Sequence, residues 1–175
     1  MIQSTSEDGF NIVEVLIVAG MISMLAVIAG SMASRFSINR KVDNITRTIS
    51  STLQIAKLKS ARRGVEYQAV MSYDESDNSL TITMQIGDSN RRSDNYTTET
   101  SQKLNVLSGI TITPSKKIIN FNPNGTLGGS SGSITIKPTD DTKIKRCGRI
   151  IVTPFGRIRV LHGNWQGTTC KPIRE

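Results

Sequence analysis

Apolar residues are unevenly spread along this chain. Over residues 10–33 they follow one another almost without a break, and Glu14 is the single charge in the run. A stretch of that length and composition predicts a helix able to cross a bilayer. The pattern then becomes periodic. Ile38, Val42, Ile45, Ile49, Leu53 and Ala56 recur at spacings of three and four, while Arg40, Lys41, Asp43, Arg47, Lys57 and Lys59 fall largely off that stripe. This is one face of an amphipathic helix. Gly64, with Arg62 and Arg63 before it, reads as the C-terminal cap. One helix over about 10–63 is therefore predicted, with a transmembrane half, 10–33, and a soluble amphipathic half, 34–63.

Beyond Gly64 the apolar runs become short and turn residues separate them. Strands are predicted over 65–71, 80–86, 110–113, 118–121, 134–137, 150–153 and 158–161. Residues 122–125 (Asn-Pro-Asn-Gly) and 128–132 (Gly-Gly-Ser-Ser-Gly) read as turns. The polar, charged stretch 87–101 reads as a mobile loop. A helix followed by antiparallel strands gives an α+β domain, with the sheet packed on the amphipathic half of the helix and a β-rich region over 64–175.

Composition sharpens this picture. Aromatic residues make up only 5% of the chain, so its core must be built mainly from Ile, Val and Leu. The net charge of +8 favours a polyanionic partner. Lys143, Lys145, Arg146, Arg149, Arg157, Arg159, Lys171 and Arg174 lie within residues 142–175 with one acid, Glu175, so nearly all the excess is concentrated there. Cys147 and Cys170 bracket much of this segment and read as a disulfide in an exported domain. A bond closing that loop is worth about 3 kcal/mol in the chain-entropy model.

Enzyme chemistry is not expected. There is no Gly-rich phosphate loop, and His162 is the only histidine, which leaves neither a nucleophile–base pair nor a closed metal site to assemble. No cofactor and no metal are implied.

The N-terminal segment Gly9-Phe10-Asn11-Ile12-Val13-Glu14 resembles the prepilin processing motif. The resemblance implies a leader, 1–9, cut after Gly9 by a prepilin peptidase, N-methylation of Phe10, and a carboxylate at the fifth mature position, Glu14. Two departures are the acidic leader, with Glu7 and Asp8, and Asn11 at the second mature position. A carboxylate near the end of a membrane helix is costly without a partner. In a filament Glu14 would pair with the N-terminal ammonium of an adjacent subunit, fixing register.

Three later segments narrow the likeness: 56–63 at the helix end, 119–125 in a turn, and 150–160, Ile-Ile-Val-Thr-Pro-Phe-Gly-Arg-Ile-Arg-Val. They resemble the FimT/GspH family of minor type IV pilins and type II secretion pseudopilins. That family implies an inner-membrane, single-pass protein with a periplasmic C-terminal domain, later part of a pilus or pseudopilus on the cell surface, with other pilin subunits as partners. Its DNA-binding branch, which serves DNA uptake in natural transformation (competence), is similar to this chain in a Gly-Arg-x-Arg motif, here Gly156-Arg157-Ile158-Arg159.

The residues support that implication in their own right. In a strand, Arg157 and Arg159 would project together and Ile158 would face the core. Paired guanidinium groups make a fork for phosphates. Binding would then be electrostatic, salt-sensitive and independent of sequence. Trp165 in the same segment could stack on an unpaired base or simply pack, and His162 reads as a hydrogen-bonding surface residue. The rival expectation is a structural subunit, either a secretion pseudopilin or a pilus-priming minor pilin without affinity for DNA.

Overall fold

The computed structural model describes residues 12–106, 109–139, 145–167 and 169–172, with side chains except those of 28–38. The chain divides into two units, 1–37 and 38–175. In the first, helix α1 (Ile12–Arg63, which continues into the second unit) begins with Glu14 in its first turn. Every described side chain from Ile12 to Val27 is exposed, and most are large and apolar. Among the described residues no helix is both long and apolar enough to cross a membrane. The expected span 10–33 lies partly outside them, as do Gly9 and Phe10.

In the second unit the periodic stripe becomes the core. Val42, Ile45, Ile49, Leu53 and Ala56 are all buried. Burying side chains of this kind contributes roughly 1.5–3 kcal/mol for each large one. The helix stops where expected. Gly64 takes a left-handed φ of 68°, and its N–H donates to the Ser60 carbonyl at 3.0 Å.

Among the described residues nine strands follow: β1 (Tyr67–Asp74), β2 (Ser79–Gly87), β3 (Tyr96–Asn105), β4 (Ile110–Pro114), β5 (Ile118–Phe121), β6 (Gly132–Pro138), β7 (Arg146–Val152), β8 (Ile158–Gln166) and β9 (Thr169–Pro172). They form two antiparallel sheets rather than one. A four-stranded sheet has the order β3-β2-β1-β5 and a five-stranded sheet the order β4-β6-β7-β8-β9. One cluster of buried residues joins the helix stripe to Tyr67, Leu80, Ile82 and Phe121 of the first sheet and Ile112, Ile134, Ile136, Ile150 and Val152 of the second. Helix and second sheet are in close contact at Gly148, where a Cβ would overlap the Thr46 hydroxyl.

The stretch 87–101 differs from expectation. Its second half is strand β3, paired with β2 over almost its whole length. It carries hardly any apolar signal because few of its side chains meet the core. The first half wraps around a buried carboxylate. Glu66 accepts the Arg92 N–H at 2.9 Å, the Ser93 N–H at 2.8 Å and the Tyr96 hydroxyl at 3.0 Å. Burial raises the Glu66 pKa, but these bonds outweigh it and hold the carboxyl below its ordinary value. Burial and the bond to Glu66 push Tyr96 up to about 12.

Candidate nucleic-acid interface

The basic segment is built on the five-stranded sheet, and alternation sorts its residues between two faces. β7 begins earlier than its apolar run suggests and β8 ends later. Arg146, Cys147, Arg149, His162 and Trp165 are therefore strand residues, each assigned to a side of the sheet. Cα partners share a side. Arg149 pairs with Thr135 on β6 and Leu161 on β8, while Ile151 pairs with Ser133 and Arg159. Their neighbours Ile134, Ile136, Ile150 and Val152 are buried in the core, so Arg149, Ile151 and Arg159 lie on the outer face.

Arg149 and Arg159 are diagonal neighbours there, a spacing of about 7–8 Å in an antiparallel ladder. Lys137, two residues beyond Thr135 on β6, continues the line. Its ammonium sits 5.4 Å from the centre of the Trp165 ring, a cation–π contact. Arg157 immediately precedes β8 and is exposed like Arg159, while Ile158 between them packs against the core. The outer face thus carries a row of cations, Arg159, Arg149 and Lys137, and the exposed Arg157 stands in the turn that leads into it, beside Gln54, Lys57 and Leu58 of the helix.

The turn carrying Arg157 is fastened from below. Gly156 has φ 71°, its N–H donates to the Thr153 carbonyl at 2.8 Å, and a Cβ on it would overlap the Gly125 carbonyl. Lys57 of the helix donates to the Gly156 carbonyl at 2.9 Å. The Leu127 N–H, in the other turn, donates to the Pro154 carbonyl at 3.0 Å. Phe155 projects from the tip with 84% of its surface exposed.

Arg146 lies on the opposite face. Its Nε and Nη2 reach Asp43 Oδ1 and Oδ2 of the helix, both at 3.2 Å. His162 Nδ1 comes within 2.9 Å of Asp43 Oδ1. Lys171 of β9 pairs with Asn164 and shares that side of the sheet. Lys145 is exposed just before β7, and Lys143 and Arg174 lie outside the described residues. The Cys147–Cys170 disulfide is formed and ties β9 to β7 across β8.

Sequence reasoning missed Lys137. It stands apart from the C-terminal cluster, but the run Gly132-Ser-Ile-Thr-Ile-Lys-Pro138 alternates cleanly and already placed Ser133, Thr135 and Lys137 on one polar face. Among the described residues no group of acidic, His or Cys side chains could hold a metal ion.

No protein-family model matches the sequence, and no curated protein sequence matches it. Solved structures do resemble it. The type IV minor pilin FimU of Pseudomonas aeruginosa matches with a TM-score of 0.54 and 14% identity, over 78% of this chain and 96% of FimU. The minor pseudopilin EpsH of the type 2 secretion system of Vibrio cholerae matches with a TM-score of 0.49 and 10% identity, over 69% of this chain and 96% of EpsH. With nearly all of FimU matched by an N-terminal helix and antiparallel sheets, the chain has a type IV pilin-like fold.

Proposed function

We propose that this chain is a minor pilin that binds DNA through its phosphates, without reading sequence, for DNA uptake in natural transformation. The observation carrying this is the row of Arg159, Arg149 and Lys137 on the outer face of one sheet, with the exposed Arg157 in the turn that leads into it. None of the four makes an ion pair with a described carboxylate, whereas Arg146, on the other face, does. Cations held on a rigid sheet lose little freedom on binding, and phosphate neutralisation by several of them gives affinity that falls steeply with salt.

The N-terminal unit fits the same reading. Cleavage after Gly9 by a prepilin peptidase would leave Phe10 first and Glu14 fifth. The exposed apolar side chains of Ile12–Val27 would sit in the inner membrane, with the C-terminal domain in the periplasm, and later pack against other pilin subunits. Glu14 would then meet the neighbouring ammonium terminus.

A structural role without DNA, in a secretion pseudopilus or in pilus priming, is the second reading. The exposed helix favours it equally, because any filament needs that surface and none needs the arginines. The deciding experiment titrates the full chain in detergent with random duplex DNA over a salt series, beside Arg157→Ala/Arg159→Ala. Binding that weakens with salt and is lost in the variant supports DNA capture. Equal or absent binding in both leaves the structural subunit.

A further inference from the structure

The row of cations ends at a hollow. On the outer face of the five-stranded sheet a depression of ≈ 370 Å³ is lined by Thr113, Thr135, Lys137, Arg149, Trp165 and Thr169, with no carboxylate among its lining residues. Its volume falls within the range of small-ligand sites, about 300–1,000 Å³.

Three features describe what would fit there. Arg149 Nε is buried and has no hydrogen-bond partner. Buried donors are nearly always satisfied, so this one calls for an acceptor. Lys137 places a second cation at the same spot, over the indole of Trp165. The threonine hydroxyls both donate and accept, so they suit a heterocycle or sugar rim rather than a hydrocarbon.

We infer that this hollow is a subsite for one unpaired nucleotide of a single strand, its phosphate on Arg149 and Lys137 and its base against Trp165. The inference rests on the nucleic-acid reading above and adds a preference for single strands over duplex. Aromatic rings beside a cationic track are how sequence-tolerant single-strand binders work. A duplex keeps its bases stacked inside and could engage the arginines without reaching the indole.

Trp165 is the only tryptophan, so its fluorescence reports on the hollow directly. The full chain in detergent is titrated with oligothymidylate, with a duplex of equal length and with linear polyphosphate. The expected result is quenching by oligothymidylate alone. Trp165→Leu should weaken oligothymidylate binding by about fivefold or more while leaving duplex affinity and Tm unchanged. Lys137→Gln should weaken the single strand more than the duplex. The inference is overturned if oligothymidylate binds without quenching, if polyphosphate quenches as fully, or if Trp165→Leu binds oligothymidylate as well as wild type. In each of those cases duplex binding that depends on Arg157 and Arg159 would leave the DNA reading intact. If neither nucleic acid binds, both readings fall together.

Discussion

Gly156 and Gly125 stack backbone against backbone, with no room for a Cβ on Gly156 beside the Gly125 carbonyl. The glycine that opens Gly-Arg-x-Arg is therefore a packing residue, needed whether or not the arginines bind anything. Gly156→Ala combines a left-handed φ with a steric clash, and should cost about 2–4 kcal/mol. Thermal unfolding measures this, and a Tm equal to wild type would contradict it.

Arg146 should behave unlike Arg157 and Arg159. Its fork with Asp43 is about three-quarters shielded from solvent, with side-chain exposures of 25% and 26%. Breaking it strands a partly buried carboxylate beside His162. Arg146→Ala should lower stability by about 1–2 kcal/mol and leave DNA affinity within about twofold, because that face is turned away from the cationic row. Denaturant unfolding and the duplex titration read the two effects separately.

Acid should loosen the 88–95 loop before the rest of the domain. The folded pKa of Glu66 lies below its ordinary 4.5. The stabilisation it contributes is fully present above that ordinary value and is lost as pH falls through the lowered one. Amide exchange at Arg92 and Ser93, corrected for intrinsic rates, should rise as the pH falls through the lowered pKa. In Glu66→Gln it should be raised at neutral pH and lose that acid dependence.

Reduction of Cys147–Cys170 should detach β9, a four-residue edge strand. Stability should fall by about 3 kcal/mol for a crosslink spanning 23 positions. Oligothymidylate binding should fall with it, since Trp165 and Cys170 are cross-strand partners beside the hollow. Duplex binding through Arg157 should fall less. Titration with and without reductant separates the two.

The elements that touch the core were legible in the sequence. The Val42–Ala56 stripe, the Gly64 stop and the apolar runs of β1, β2 and β4–β8 all declare themselves through burial, which selects apolar residues at fixed periods. β3 and β9 escaped because none of their side chains is fully buried, unlike those of the edge strands β4 and β5, and backbone hydrogen bonds to their neighbours leave little mark on side-chain type. The disulfide and the exposure of Arg157 and Arg159 were also readable. The opposite facing of Arg146 was not. It depends on β7 starting several residues before its apolar run, a register set by pairing with β8 rather than by composition. Nothing in the sequence singled out Glu66, because its partners lie well over twenty positions away.

The polarity of β3 has a colloidal consequence. Its unpaired side could extend a sheet into a second molecule, yet the strand reads Tyr-Thr-Thr-Glu-Thr-Ser-Gln-Lys-Leu-Asn, and Glu99 is drawn back to Lys59 and Arg63 of the helix at 3.0 and 2.9 Å. At the far edge of the other sheet, β9 carries Lys171 and Pro172. Charge and a missing N–H are ways to discourage strand addition. Many copies could then be crowded side by side at high local concentration without their sheets fusing into an aggregate.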